Sequence, residues 1–269
     1  MFSKKILITG ACGLIGGIAY NYLRQFSDTY EIHALARSRQ PRRKGAQMAE
    51  NWVSEIPDHR FHLTDLADFN AVQKAVNNID IVVHLAATAS GKADWETALN
   101  SNIIGTYNIF EASRQAGVKR VVFASTIQVM WGYRFQEPYD MIFKKMDEDK
   151  SQDMPVLTPE MPTRPLSFYG CSKVCGEAIA HMYAYTHGMS SICLRIGSVP
   201  VDNRPRGNGG GWCSHRDLAQ LIHRCIDASD EVRFDVFYAV SNNKRRWMDI
   251  EHAREVVGYI PQDRAEDYP

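Results

Sequence analysis

The chain has 269 residues, 45% of them hydrophobic and 23% charged, and its 31 basic side chains are balanced by 31 acidic ones. Zero formal charge excludes a global field that would draw in nucleic acid or an anionic membrane. No apolar run is long enough to cross a bilayer, and the composition is that of an ordinary globular domain, with or without a small appended lobe.

The opening stretch "MFSKKILITG" turns polar too soon for a signal peptide. Cys12, Cys171, Cys175, Cys193, Cys213 and Cys225 form no Cys-x-x-Cys pair and no disulfide framework. Cys171 and Cys175 lie one helical turn apart, but no Cys or His stands near them at ligand spacing. Reduced thiols in a cytoplasmic protein without a metal are therefore expected.

In chain order, "KILITG" is a β-branched strand and "LIGGIAYNYLRQF" a helix. "EIHALAR" and "RFHLTD" follow as strands, "FNAVQKAVNN" as a helix and "DIVVHLAA" as a buried strand. Next come a long helix over about 94–116 and the strand "KRVVFAS". Strand–helix alternation with continuously apolar strands predicts an α/β fold whose parallel sheet is covered on both faces. Residues 131–166, with a mixed-charge run and four prolines, read as a long excursion, partly extended and partly loop. Regularity returns with a helix over 168–187, the strand "SSICLRIGSV", the glycine-rich loop "RPRGNGGGW", a helix near 215–228, the strand "VFYAVS" and a short helix near 249–257.

Gly10, Gly13 and Gly16 leave the first strand and open the first helix. Glycines in this place permit a tight turn, close approach of a pyrophosphate and close helix–sheet packing, with the helix N-terminus facing the anion. An acidic residue that would bind the adenosine ribose is missing after the second strand, where "ALARSRQPRRK" supplies Arg37 instead. A guanidinium there pairs with a 2′-phosphate, and Arg39, Arg42 and Arg43 thicken the positive patch; the alternative is a solvated basic loop. NADP is the expected cofactor, with NAD the other possibility.

The ordered set "TGACGLIG", "LTDLAD", "VVHLAA", "NIIGTYNIFEAS", "VVFAST", "YGCSK" and "LRIGSV" resembles the extended short-chain dehydrogenase/reductase family over nearly the whole chain. The resemblance implies a Rossmann-type doubly wound parallel sheet with a small C-terminal substrate lobe. It would form a single domain over 1–269. Residues 1–130 and parts of 168–200 would make the dinucleotide-binding core, and about 131–166 and 200–269 the substrate side. It also implies a bound nicotinamide dinucleotide. Gly10, Gly13, Leu14, Ile15 and Gly16 would meet the pyrophosphate, Asp65 and Leu66 the adenine, and Leu85, Ala86 and Ala87 the middle of the cofactor. Asn102, Ser125 and Ile196 belong to the same set, Asn102 supporting the active-site helix. Catalysis would fall to Thr126, Tyr169 and Lys173. Thr126 stands where serine is usual, and "STIQVMWG" is one residue longer than the family pattern, with Trp131 for tyrosine.

Tyr169 and Lys173 share a helix face by i,i+4 spacing. A tyrosine that acts as a base near neutrality must come down from about 10 by roughly 3 units, or about 4 kcal/mol. A nearby ammonium, with the positive nicotinamide ring, is expected to supply that. Thr126 would orient the substrate oxygen toward Tyr169.

About 70 residues follow Ile196, little room for a nucleotide-binding lobe. The details "SFYGCSKVCGE", "GGWCSHRDL" and "GYIPQD" are most similar to uronate dehydrogenases and archaeal-type sugar dehydrogenases, which oxidise an unlinked sugar. Arg206 is either the handle for an anionic substrate or an exposed loop arginine. Thr88, Ser90 and Gln128 follow strand ends that face the expected pocket. Ser214 reads as a helix cap and Asp217 as a dipole-compensating residue. A sugar oxidoreductase is the leading reading. The rivals are a nucleotide-sugar epimerase or dehydratase with transiently reduced cofactor, and a non-catalytic NADP-sensing protein. A homodimer through the helices at about 94–116 and 168–187 is expected by resemblance, with Phe110, Met182 and Tyr185 either on that face or in the core.

Overall fold

The computed structural model describes residues 3–40, 56–143 and 155–268. Arg42, Arg43 and most of the mixed-charge run after Phe143 lie outside the described residues. Seven strands form one sheet: β1 (Lys4–Thr9), β2 (Tyr30–Ala36), β3 (Phe61–Leu63), β4 (Ile81–His84), β5 (Arg120–Thr126), β6 (Ser190–Ile196) and β7 (Phe234–Ala239). Their order is β3-β2-β1-β4-β5-β6-β7, and each neighbouring pair is parallel. The order reverses direction between β1 and β4, which is where such sheets open a crevice at their carboxyl ends.

Period-two alternation explains why these strands read as unbroken apolar runs. Ile6 and Ile8 enter one core with Ala19 and Leu23 of α1 (Leu14–Leu23), Leu221 of α6 (His215–Ile226) and Val257 of α7 (Glu251–Val257). Leu7, between them, enters the opposite core. There it meets Val72 of α2 (Phe69–Ala75), Ile109 and Phe110 of α4 (Gly105–Ala116) and Tyr183 of α5 (Phe168–His187). Phe110 is thus a core residue, whereas Met182 and Tyr185 stay exposed on α5.

Short polar residues start the helices. Asp68 caps α2, Ser167 accepts from Gly170 N in front of α5, and Ser214 does the same for Asp217 N in front of α6. Each such cap contributes about 1 kcal/mol. Asp217 has a larger part than dipole compensation. It is fully buried and accepts from Ser241 Oγ, Gln262 N and Asp263 N, anchoring the C-terminal segment to α6.

The expected long helix over 94–116 is one continuous rod with a change of pitch. It comprises α3 (Trp95–Thr97), a π-helical segment (Ala98–Ile104) and α4. After β5 the chain runs into 3-10 turns over Ile127–Phe135 and Tyr139–Phe143, at the start of the excursion read as partly extended and partly loop. Residues 155–165 return as a strap. Arg164 N donates to Val129 O (2.6 Å), Gly132 N donates to Arg164 O (2.7 Å), and Leu157 bridges to Met248. A third apolar cluster, with Met130, Tyr133, Leu157, Tyr238 and Trp247, fills the space between strap and sheet. Among the described residues no helix is long and apolar enough to cross a membrane.

Candidate active site

The glycine loop occupies the β1 side of the crevice. Gly10 has φ +71°, and a Cβ there would lie 2.8 Å from Ala86 Cα. At Gly16 a Cβ would stand 2.1 Å from the Gly10 carbonyl oxygen, so α1 packs directly on the exit of β1. The helix begins from Gly13 with no side-chain cap and no acidic residue in its first turn. Its leading N–H groups are thereby left to an outside acceptor, and Gly13 is exposed beside the half-buried Leu14 and Ile15. These residues fit a dinucleotide pyrophosphate.

Beyond β2, Arg37 is exposed, with Nη1 3.5 Å from Asp65 Oδ2. Arg39 stacks over the Phe61 ring at 4.2 Å and pairs with Asp58 at 2.7 Å. Leu66 is buried in the core, and its carbonyl accepts from Asn108 Nδ2 (2.7 Å). Leu85, Ala86 and Ala87 leave β4 half-buried. Ala86 N donates to Thr9 Oγ1 (3.1 Å), and that hydroxyl pairs with His84 Nδ1 at 2.7 Å. The other His84 nitrogen lies 3.2 Å from Thr106 Oγ1. Burial brings the His84 pKa down to about 3, so this ring is a neutral tie between β4 and α4.

The far side of the crevice is α5. Tyr169 and Lys173 are 8% and 2% exposed, and Lys173 Nζ lies 4.8 Å from the Phe123 ring centroid and 5.8 Å from that of Tyr169. Burial pushes the Tyr169 pKa up to about 12, opposed by a hydrogen bond with the Thr126 hydroxyl. Burial also brings Lys173 down to about 7. Desolvation thus outweighs the Thr126 hydrogen bond, and burial in the chain by itself holds the phenol in its neutral form.

Asn102, in the π-helical segment, donates to Ser172 Oγ (3.0 Å), and Ser172 Oγ donates to the Tyr169 carbonyl (2.7 Å). Its Oδ1 accepts from Thr88 N (2.8 Å). The change in pitch sets this amide between α5 and the loop after β4, a use typical of π turns. Ser125 is buried with its hydroxyl donated to Glu177 Oε1 (2.5 Å), and Ile196 is buried at the end of β6.

The expected substrate residues are less uniform. Thr88 is half-buried, whereas Ser90 is exposed with its Oγ accepting from Lys92 N (3.2 Å). Gln128 is half-buried, and its Oε1 is buried with no hydrogen-bond partner. Arg206 is exposed and pairs with Asp202 at 2.9 Å, in a loop where Gly207 and Gly209 have positive φ.

Two buried charges received no role in the sequence analysis. Glu177, one helical turn after Lys173, and Arg195 of β6 form a buried bidentate pair at 3.0 and 2.9 Å. Their signals are a carboxylate four residues after Lys173 and a lone arginine inside the otherwise buried strand "SSICLRI".

Residues 6–263 match the model of the NAD dependent epimerase/dehydratase family. A uronate dehydrogenase of Pseudomonas syringae pv. tomato is 32% identical, over 98% of this chain and 83% of its own. An NAD-dependent glucose-6-phosphate dehydrogenase of Haloferax volcanii is 29% identical, over 98% of this chain and 95% of its own. Among solved structures, a mutant uronate dehydrogenase of Agrobacterium tumefaciens complexed with NAD superposes with a TM-score of 0.77. It is 28% identical, over 99% of this chain and 87% of that one.

Proposed function

The chain belongs to the NAD dependent epimerase/dehydratase family, and from that premise we propose that it is a nicotinamide-dependent dehydrogenase that oxidises an unlinked sugar, sugar acid or sugar phosphate. The observation that carries this reading is Tyr169, Lys173 and Thr126 gathered in one buried cluster across from the glycine loop. The relatives support the substrate class, since two are named for uronate and glucose 6-phosphate and both cover almost all of this chain.

A bound nicotinamide dinucleotide supplies the hydride acceptor. Gly10, Gly13, Leu14, Ile15 and Gly16 hold its pyrophosphate, Asp65 and Leu66 its adenine, and Leu85, Ala86 and Ala87 its middle. Asn102, Ser125 and Ile196 frame the nicotinamide end. Thr126 hydrogen-bonds the substrate hydroxyl and turns it toward Tyr169, whose phenolate oxygen takes the proton. Lys173 holds the positive charge that favours that phenolate and reaches toward the nicotinamide ribose. Thr88, Ser90 and Gln128 bind sugar hydroxyls, and the unpartnered Gln128 Oε1 supports its share of that work. Arg206 leaves Asp202 to grip a carboxylate or phosphate.

NADP is the preferred cofactor, because Arg37 stands beyond β2 where the ribose-binding carboxylate is missing. That departs from the NAD in the names of the relatives. The described residues of 131–166 and 200–269 form the substrate side. Exposed Tyr107, Met182 and Tyr185 on α4 and α5 support a homodimer through those helices. Six free cysteines suit the reducing cytoplasm.

The test is absorbance of reduced nicotinamide with NADP or NAD and a panel of aldoses, uronic acids and sugar phosphates. Net reduction with one substrate class is expected. Cofactor retained through purification, with no net reduction on any substrate, would turn the reading to an epimerase or dehydratase.

A further inference from the structure

An ammonium buried as deeply as Lys173 requires an anion near it. Glu177 lies one turn along the same face of α5. Its carboxylate is held from three directions. Oε1 accepts from Ser125 Oγ at 2.5 Å and from Arg195 Nε at 3.0 Å, and Oε2 accepts from Arg195 Nη2 at 2.9 Å. Arg195 Nη1 in turn donates to Tyr238 Oη (3.2 Å) on β7 and to the Pro159 carbonyl (3.3 Å) on the strap. The catalytic helix, three strands and the strap therefore meet at one buried carboxylate.

We propose that Glu177, clamped by Arg195 and Ser125, is a positioning residue for Lys173, the buried counter-charge that keeps this lysine an ammonium facing Tyr169. The proposal rests on the reading of Tyr169 and Lys173 as the proton-handling pair.

Lys173 is faced by Tyr169 and Glu177 from its own helix, by His84 from β4, by the Phe123 ring from β5 and by Cys193 from β6. His84 is neutral, and burial pushes the Cys193 thiol well up, so it stays protonated. Glu177 is the anion that remains in this set, and Arg195 is the cation that faces its other side from β6. Burial pulls Lys173 down to about 7, opposed by Cys193 and Glu177, so loss of the carboxylate charge moves the lysine further toward the neutral amine. Arg195 and Ser125 fix the carboxylate in place through three hydrogen bonds. A pair that merely fastened α5 to β6 would work equally well without its charges.

The decisive variant is Glu177→Gln combined with Arg195→Gln, which removes both charges together and leaves no buried arginine unpaired. In full-length protein labelled with carbon-13 lysine, the Lys173 side-chain signal is identified by its loss in Lys173→Met and titrated from pH 6 to 9. The wild-type signal is expected to be that of an ammonium at pH 6, and the double variant is expected to titrate about one unit or more lower. A wild-type Lys173 that is uncharged across the whole range would overturn the proposal even if the variant failed to fold. So would a folded variant whose Lys173 titrates as in wild type. In turnover assays the acid limb of kcat/KM is expected to move alkaline by about one pH unit, roughly a tenfold loss at pH 7, with Glu177→Asp restoring most of it. A wild type that turns over no sugar would end the dehydrogenase reading alone, and the lysine titration would still decide this one.

Discussion

Lys173→Met takes away the buried ammonium and leaves an unbranched apolar chain of similar length. Lys173 Nζ lies 5.8 Å from the Tyr169 ring centroid, over which a phenolate delocalises part of its charge. With an effective dielectric of about 20, the attraction at that separation is roughly 3 kcal/mol, or about 2 pKa units of phenolate stabilisation. The acid limb of the kcat/KM profile is therefore expected to move alkaline by about 2 units, with roughly a hundredfold loss at pH 7 under saturating dinucleotide. Stability should move the other way. The folded-state pKa of Lys173 is drawn down to about 7 from the ordinary 10.5, so between these values the unfolded chain binds more protons than the native one. The lysine is a net burden below about pH 7, and that burden fades as pH rises to its unfolded value. Lys173→Met is thus expected to melt no lower than wild type at neutral pH, by calorimetry. A variant within about threefold of wild type and with an unmoved acid limb would refute the reasoning. A large fall in melting temperature would refute the burial argument.

Tyr169→Phe removes one oxygen from a buried ring, and turnover is expected to fall by about 10² to 10⁴, the usual worth of a positioned general base. Dinucleotide affinity, read by fluorescence titration, should change only a few-fold; retained turnover would remove Tyr169 from the proton transfer. Arg37→Asp is expected to raise KM for NADP by roughly tenfold to a hundredfold, the loss of one charge-assisted contact, and to lower KM for NAD. Its wild-type partner, Asp65 at 3.5 Å, is a half-exposed surface contact of little energy, so unchanged cofactor preference would show that Arg37 is simply solvated. Arg206→Gln is expected to raise KM for a uronate or sugar phosphate by roughly tenfold to a hundredfold, with a much smaller effect on uncharged aldoses. An equal effect on both would place Arg206 outside substrate recognition.

Local pattern determined much of this protein. The seven strands were legible because residues such as Ile6, Leu7 and Ile8 are apolar on both faces, which a strand tolerates only inside a covered parallel sheet. The glycine loop was legible because close approach at Gly10 and Gly16 admits no other side chain. The helix that carries Tyr169 and Lys173 ran over Phe168–His187 as read, since Ser167 and the left-handed Gly188 mark its ends in sequence. Tertiary structure alone decided whatever depends on neighbours distant along the chain. The π-helical pitch that aims Asn102 at Ser172 gives no local signal, because it depends on contacts 70 residues away. Phe110 turned to the core and Met182 to the surface although both are apolar residues on amphipathic helices. Most consequential is the charge arithmetic of the site. Spacing puts Tyr169, Lys173 and Glu177 on one helix face, but a pKa is set by what surrounds a group in three dimensions. Only the packed structure shows desolvation outweighing the Thr126 hydrogen bond at Tyr169, and Arg195 and Ser125 closing on Glu177 from separate strands.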